Sequence, residues 1–309
     1  MTDLIKITEI NSLVVAGGGI KGLLFIGAIK LLDDIKILNR IKYFYGTSIG
    51  ALICLIIILG WSTDEMVQII SKINFNNIMD FNIDTFINNF GFISKNNYEL
   101  LIKHIITFKG FPENITFLEL YKKTNKELNV ISHSLRKNAG CNMNYINTPN
   151  KYVWEAIYDS SALPGLIGPN FKKMKDDIYL DGGFANNFAM NFVKPENKFK
   201  VIGICATSYL PDWDKFTTYI KEKDIINYSL ELIRIFFECA KHNYKDGCIV
   251  LENSGIPLEY NMDIKKRKKI IKMGYESSKQ QINDIVKKLY DNQLKEKTNR
   301  SNIFKYNEI

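Results

Sequence analysis

Apolar and polar positions follow two different periods along the first two-thirds of the chain. Compact apolar runs at 13–16, 43–45 and 201–206 are typical of buried strands, whereas apolar residues at 20–32 and 63–73 recur with the period of a helix. Strands that alternate with helices predict an α/β fold with a central, mostly parallel sheet flanked by helices. The same patterns predict further strands at 127–132 and 178–180, and further helices at 51–56, 117–123 and 152–161.

The segment 74–115 departs from this alternation. It is rich in Phe, Asn and Ile and is interrupted by Gly91, Gly110 and Pro112, which are typical of helix and strand ends. We expect helices and loops here that form a cap over one edge of the sheet. The cap is an insertion within a catalytic domain that we expect to span 12–206.

The last third of the chain, 207–309, carries long amphipathic patterns at 221–242 and 264–294. These patterns predict a C-terminal helical extension that packs on the same domain. The second helix begins with a basic run at 265–269. Such a run is either a solvated helix face or a contact with anionic lipid.

Composition narrows the class of protein. The chain has 309 residues, 46% of them hydrophobic, and a formal net charge of +8. Five scattered cysteines without a C-x-x-C pair predict a reduced, intracellular protein without a disulfide framework. The N-terminus has no apolar signal core, and the longest apolar run, 51–59, is far shorter than the roughly 20 residues of a membrane span. We therefore expect any membrane contact to be peripheral.

Three glycine-containing loops each follow a predicted strand. Because the carboxyl ends of parallel strands share one edge of a sheet, these loops are expected to converge there. The loops are Gly17-Gly18-Gly19-Ile20-Lys21-Gly22, Gly46-Thr47-Ser48-Ile49-Gly50 and Asp181-Gly182-Gly183.

Together the loops supply the parts of an acyl-transfer site. The second loop has the G-x-S-x-G form of a nucleophile elbow, in which Gly46 and Gly50 allow strand and helix to approach closely, so Ser48 is the candidate nucleophile. Asp181 is the candidate proton acceptor, and the glycines that follow it, Gly182 and Gly183, allow close backbone approach. The backbone N–H groups of the first loop, Gly17, Gly18 and Gly19, are candidates for an oxyanion hole.

Histidine is not placed by any motif to complete a triad. His104, His133 and His242 lie in ordinary helical or strand patterns. This leaves a Ser–Asp dyad, in which a carboxylate with an ordinary pKa near 3.9 is a weak base for an alcohol. The proton must therefore move as the nucleophile attacks.

In this order, the three loops resemble the motifs of the patatin-like phospholipases. Two further stretches are similar to that family: Asp159-Ser160-Ser161-Ala162-Leu163-Pro164, and the residues around the aspartate from Tyr179 to Asn187. The resemblance extends from about 12 to 206. It implies a three-layer fold and a lipid acyl hydrolase of the phospholipase A or lysophospholipase type that forms an acyl-enzyme.

The resemblance also carries roles to single residues. It implies that Ser48 is the nucleophile, that Asp181 is the base, and that no metal or other cofactor is needed. Lys21 stands before Gly22, where the family usually has Arg. Lysine keeps the charge but loses the bidentate fork of a guanidinium group.

Other functions are compatible with some of these residues. The spacing Gly17-x-Gly19-x-x-Gly22 also fits a dinucleotide fingerprint, but the second strand ends without the acidic residue that such a site needs. A lipid-binding protein without activity, or a Ser-His-Asp esterase that uses His242, are the remaining alternatives. We expect a phospholipid or another acyl lipid and a membrane surface as partners, and no nucleic acid. The sequence does not specify an oligomeric state.

Overall fold

A computed structural model of the chain describes residues 2–72, 86–88, 90–170, 177–207, 217–218, 221–222, 247–252 and 262–306. The strands of these residues are β1 (Ser12–Val15), β2 (Tyr43–Thr47), β3 (Gly91–Ile93), β4 (Glu127–Ser134), β5 (Ala139–Met143), β6 (Gly165–Ile167), β7 (Tyr179–Asp181), β8 (Val201–Ala206) and β9 (Cys248–Leu251). Their α-helices include α1 (Thr2–Ile7), α2 (Gly22–Asp34), α3 (Ile49–Ile58), α4 (Thr63–Lys72), α5 (Lys95–Phe108), α6 (Phe117–Thr124), α7 (Val153–Ser160), α8 (Gly183–Asn186) and α9 (Ile264–Tyr306).

The central sheet has the strand order β5-β4-β2-β1-β8-β9, and β7 also pairs with β4. Strands β1, β2, β4, β8 and β9 run parallel, whereas β5 and β7 run antiparallel to β4. Every residue of β1 is buried, because helices cover the sheet. The predicted α/β fold with a mostly parallel sheet flanked by helices is confirmed.

The register along β4 positions the ends of two strands next to each other. On one side of β4, the last pair with β2 is Thr47 opposite Ile131. On the other side lies β5. Strand β7 pairs with the same β4 residues as β5, so it occupies the side of β2, with Asp181 opposite Ser132. The carboxyl ends of β2 and β7 therefore meet at consecutive residues of β4.

The described part of the cap segment differs from the expected helices and loops. It contains the long helix α5, but also the short strand β3, which pairs in parallel with β6 in a separate two-stranded sheet. A strand of three residues shows too little alternation to be predicted unless a motif marks its end, as the glycines after Asp181 do for β7. Residues 73–85 lie outside the described residues.

The segment after residue 206 contains a strand as well as helices. Strand β9 extends the central sheet beside β8, although the pattern predicted only helices there. The run Cys-Ile-Val-Leu is too short for its periodicity to distinguish a strand from a helix. The predicted helix at 264–294 is present and continues to Tyr306, whereas the one predicted at 221–242 lies outside the described residues except for 221–222.

Helices α2 and α9 pack against each other through two glycines. A Cβ on Gly27 would lie 2.5 Å from the backbone N of Tyr275, and a Cβ on Gly274 would lie 2.8 Å from the carbonyl carbon of Leu24. The two helix backbones therefore touch where neither has a side chain. No helix in the described ranges combines the length and the apolar character that crossing a membrane requires.

We expect Gly274→Ala to lower the free energy of unfolding by about 1–3 kcal/mol, because the new methyl group meets backbone that cannot move aside. An alanine in place of glycine inside a helix normally stabilises it by up to about 1 kcal/mol, so the sign of the effect tests the contact. Urea denaturation measures the difference. Lys279→Ala, at an exposed position of the same helix, is the control and should change stability by less than about 0.5 kcal/mol. A Gly274→Ala variant as stable as this control would contradict the close packing.

Candidate active site

Ser48 lies at a sharp corner between β2 and α3. Its φ of 54° and ψ of −125° are unusual for a residue with a side chain and mark a strained turn. The corner requires its two glycines. A Cβ on Gly46 would lie 2.5 Å from the backbone N of Ala51, and a Cβ on Gly50 would collide with the carbonyl oxygen of Val15. The structure thus places Ser48 in the elbow geometry that the motif predicted.

Asp181 is the last residue of β7 and lies beside this corner because of the register along β4. The side chain of Ser48 lies close enough to the Asp181 carboxylate to lower the pKa of that carboxyl. The backbone N–H of Gly183 donates to Oδ1 of Asp181 over 2.7 Å. Gly182 is also required, since a Cβ there would collide with the carbonyl oxygen of Ile131. Both glycines after the aspartate therefore contribute to its placement.

The environment of Asp181 changes its basicity. The residue is only 4% exposed. Burial raises the pKa of its carboxyl from 3.8 to about 6, and the interactions with the Ser48 side chain and the Gly183 N–H offset only part of that rise. A carboxylate with an ordinary pKa was expected from the sequence, and this expectation is wrong because it ignored burial.

The glycine loop after β1 lies against the elbow. A Cβ on Gly17 would lie 3.4 Å from Cβ of Ser48, and a Cβ on Gly22 would lie 2.7 Å from Cγ1 of Ile49. Gly19 has a φ of 52°, which favours glycine. The second half of the loop is a 3₁₀ turn, Gly19–Lys21, that leads into α2.

Asn187 fixes one end of this loop. The N–H of Gly17 donates to the carbonyl oxygen of Asn187 over 3.0 Å, and Nδ2 of Asn187 donates to the carbonyl oxygen of Gly17 over 3.3 Å. The predicted oxyanion donor Gly17 therefore already has a partner for its N–H group. Asn187 belongs to a recognised motif, but the motif alone assigns it no role.

Ser160 is a second residue to which the sequence pattern assigns no role. Its Oγ accepts a hydrogen bond from the backbone N–H of Ser48 over 2.9 Å and donates one to the carbonyl oxygen of Ile131. The only signal in the sequence was its place in the small-residue stretch that ends at Pro164. That stretch indicates a conformation rather than a contact, so the bond to Ser48 could not be predicted.

The histidines have no place beside Ser48 in the described residues. Ser132 on β4 pairs with Asp181, and His133 is the next residue of that strand. Successive side chains of a strand point to opposite faces, so His133 points away from the face of Ser132. His104 is exposed on α5. His242, the candidate for a triad, lies outside the described residues.

Relatives of known sequence resemble the chain over much of its length. A viral protein from Invertebrate iridescent virus 6, described as a probable lipid hydrolase, is 31% identical over 68% of this chain and 71% of its own length. An uncharacterised protein of Acanthamoeba polyphaga mimivirus is 25% identical over 90% of this chain and 96% of its own length. Triacylglycerol lipase 4 of Saccharomyces cerevisiae is 28% identical over 51% of this chain, which corresponds to 18% of that lipase.

Solved structures share the fold at lower identity. VipD from Legionella pneumophila matches 92% of this chain and 67% of its own, with a TM-score of 0.54 and 17% identity. The type III effector ExoU matches 91% of this chain and 53% of its own, with a TM-score of 0.53 and 14% identity. The family model of the patatin-like phospholipases matches residues 13–192, which is more than half of the chain. Motifs, fold and family match agree, and the chain belongs to the patatin-like phospholipase family.

Proposed function

We propose that the protein is a lipid acyl hydrolase of the phospholipase A or lysophospholipase type, in which Ser48 is the nucleophile and Asp181 the proton acceptor. The observation that carries this proposal is the placement of the Ser48 side chain beside a buried carboxylate, where the ends of β2 and β7 meet on β4. Membership of a lipid hydrolase family supports an acyl lipid as substrate. A membrane or lipid surface is the partner that such a substrate implies.

The first half of the reaction forms an acyl-enzyme. Oγ of Ser48 attacks the ester carbonyl carbon while its proton passes to the carboxylate of Asp181. The tetrahedral intermediate collapses, the bond to the lipid alcohol breaks, and the leaving alkoxide takes the proton from Asp181. The acyl group is then an ester of Ser48, and the alcohol or lysolipid is free.

The second half releases the fatty acid. Water gives a proton to Asp181 as its oxygen attacks the acyl carbon. Collapse of the second tetrahedral intermediate breaks the bond to Oγ of Ser48, which recovers its proton from Asp181. The net reaction is hydrolysis of one ester bond, and both residues return to their initial state.

Backbone N–H groups of the glycine loop are the proposed oxyanion donors. Since the N–H of Gly17 already donates to Asn187, we assign this role to Gly18 and Gly19 rather than to all three glycines. Loss of one such donor typically slows a reaction by about 10²- to 10³-fold. The elbow helix α3 also directs its positive end toward the turn that holds Ser48, which favours developing negative charge.

Ser48→Ala should abolish fatty acid release while the fold stays intact, because the nucleophile is lost. Purified protein is incubated with phosphatidylcholine vesicles, lysophosphatidylcholine and a triacylglycerol emulsion, each with a chelator, and the released acids are measured by mass spectrometry. Ser94→Ala, which changes a serine whose side chain makes no capping bond, is the matched control and should keep full activity. Release by the Ser48→Ala variant, or fluorophosphonate labelling of another residue in the wild type, would refute the assignment. The three substrates distinguish the head-group classes.

The rate should depend on pH through the carboxyl of Asp181. Its pKa is raised to about 6, so the group is protonated and cannot accept a proton below that pH. We expect kcat/KM to rise tenfold per pH unit below about 6 and to level off above it. Asp181→Asn should lower kcat by about 10³- to 10⁴-fold and remove this limb from the residual rate. A limb that persists unchanged in Asp181→Asn would assign the titration to another group.

A further inference from the structure

Ser160 contacts the nucleophile from a position where no substrate can reach it. It is the last residue of α7 and is completely buried. Its hydroxyl bridges two backbone groups, accepting from the N–H of Ser48 and donating to the carbonyl of Ile131. Ile131 is the residue of β4 that pairs with the last residue of β2. The hydroxyl therefore joins the strained corner to the strand beside it.

The backbone around Ser160 also holds the proposed base. The carbonyl of Ser160 accepts the N–H of Gly182 over 3.2 Å, and the carbonyl of Ala162 accepts the N–H of Asp181 over 2.8 Å. One short segment thus binds the backbone of Ser48 through a side chain, and the backbone of Asp181 and Gly182 through its own carbonyls. A rotation of the Ser48 backbone, which its positive φ favours, would break the side-chain bond first.

We propose that Ser160 is a positioning residue that keeps Ser48 in line with Asp181. This inference rests on the proposed hydrolysis and assigns a function to the side chain of Ser160 within it. Without the hydroxyl, the N–H of Ser48 loses its buried acceptor, and the corner can relax away from the carboxylate. Misplacement of a reacting group by about 1 Å can cost about 10²-fold in rate.

The test compares Ser160→Ala with Ser132→Ala. Both serines are completely buried, and Oγ of Ser132 has no hydrogen-bond partner in the described residues. Both variants therefore remove one buried hydroxyl, but only Ser160→Ala also removes hydrogen bonds. We expect Ser160→Ala to lower kcat and the rate of fluorophosphonate labelling by about 10²-fold with KM unchanged, and Ser132→Ala to change them less than about threefold. Rates are referred to the folded fraction measured by circular dichroism. Ser160→Thr, which keeps the hydroxyl, should recover most of the rate.

Equal rates for Ser160→Ala and the wild type, or equal losses in both alanine variants, would overturn the role of Ser160. A wild type that neither hydrolyses lipid nor reacts with the fluorophosphonate would instead refute the proposed hydrolysis. The two failures are therefore distinguishable.

A different set of contacts fixes the direction of α9. Gln281 forms hydrogen bonds with the N–H and the carbonyl of Val250, near the carboxyl end of β9. Twelve residues later, Gln293 donates to the carbonyls of Glu9 and Phe199, which precede β1 and β8. Cys205 pairs with Val250, and the strand from Phe199 to Cys205 spans about 20 Å. The twelve helical residues between the two glutamines span about 18 Å, so this part of α9 lies along the whole strand. Helix α9 therefore runs antiparallel to the strands, and its first turns lie toward the edge that holds Ser48.

These first turns carry a basic face that is formed by Lys265, Lys268, Lys269 and Lys272. All four are exposed, and at 100° per residue they lie within an arc of about 100°. Exposed Ile264 and Met273 flank this arc on its two sides. The chain has no acidic residue from 264 to 275. Arg267, on the opposite side of the helix, is buried, and its guanidinium group donates to the carbonyl of Ile70 on α4.

We infer that the basic face docks on an anionic phospholipid bilayer and turns the edge with Ser48 toward it. Lysines attract anionic head groups, and flanking apolar side chains enter the boundary between head groups and acyl chains. The inference specifies the charge of the lipid surface on which the protein would meet its proposed substrate. The consequence of this docking for catalysis rests on the proposed function. Docking itself does not require hydrolysis.

Vesicle binding of the Ser48→Ala protein tests this surface without turnover. We expect sedimentation with phosphatidylcholine vesicles that contain phosphatidylserine, weaker binding at high salt, and no binding to pure phosphatidylcholine. Each lysine near an anionic surface contributes about fivefold in affinity, so changing all four lysines of the basic face to Gln should reduce binding by more than about 100-fold.

The matched control changes Lys287, Lys288, Lys295 and Lys297 to Gln. It removes the same charge from the other end of the same helix, and it should reduce binding by less than about tenfold. Equal losses in both variants would show that net charge alone attracts the protein to the vesicles. No loss in either variant would show that α9 does not dock on them. Each of these results overturns the inference. Activity of the wild type on dispersed substrate decides the proposed hydrolysis separately.

Discussion

The site depends on one constraint, which is the register in which β2 and β7 both pair with the same side of β4. Thr47 and Asp181 lie opposite consecutive residues of β4, so the ends of β2 and β7 meet although they are far apart in the chain. The proposed nucleophile, Ser48, is the next residue after the end of β2, and Asp181 is itself the last residue of β7. A shift of either strand by one residue would turn its side chains to the opposite face of the sheet. The position of Ser48 beside Asp181 thus follows from sheet geometry.

The same burial that makes Asp181 a better base opposes folding. The pKa of its carboxyl in the folded protein, about 6, is above the value of 3.8 expected in the unfolded chain. The contribution of protonated Asp181 to the free energy of unfolding is therefore fully present below about pH 4. It is lost as the pH rises through about 6 and the buried carboxyl ionises. At neutral pH the buried carboxylate costs about 3 kcal/mol relative to an unperturbed one. The hydrophobic core must offset this cost.

The parts of the site that could be predicted are those that follow from local sequence. Each loop follows an apolar run, and a glycine pattern specifies its turn, so Ser48, Asp181 and the glycine loop could be predicted without coordinates. The bond from Ser160 to Ser48 joins residues 112 positions apart and depends on the register of strands. Burial of Asp181 and the engagement of Gly17 depend on tertiary packing in the same way. The short strands β1 and β7 could be predicted because a glycine motif follows each of them, whereas β3, β5, β6 and β9 are not followed by such a motif and were missed.

The glycine contact between α2 and α9 has a consequence for the order in which the protein is completed on the ribosome. Helix α2 begins directly after the glycine loop, and Gly27 packs it against backbone near Gly274. The elbow and its aspartate are synthesised well before that partner helix emerges. A nascent chain therefore carries every proposed catalytic group while the helix that leads from the glycine loop still lacks the surface it packs on. The packing of α2 is therefore completed only when α9 has been synthesised.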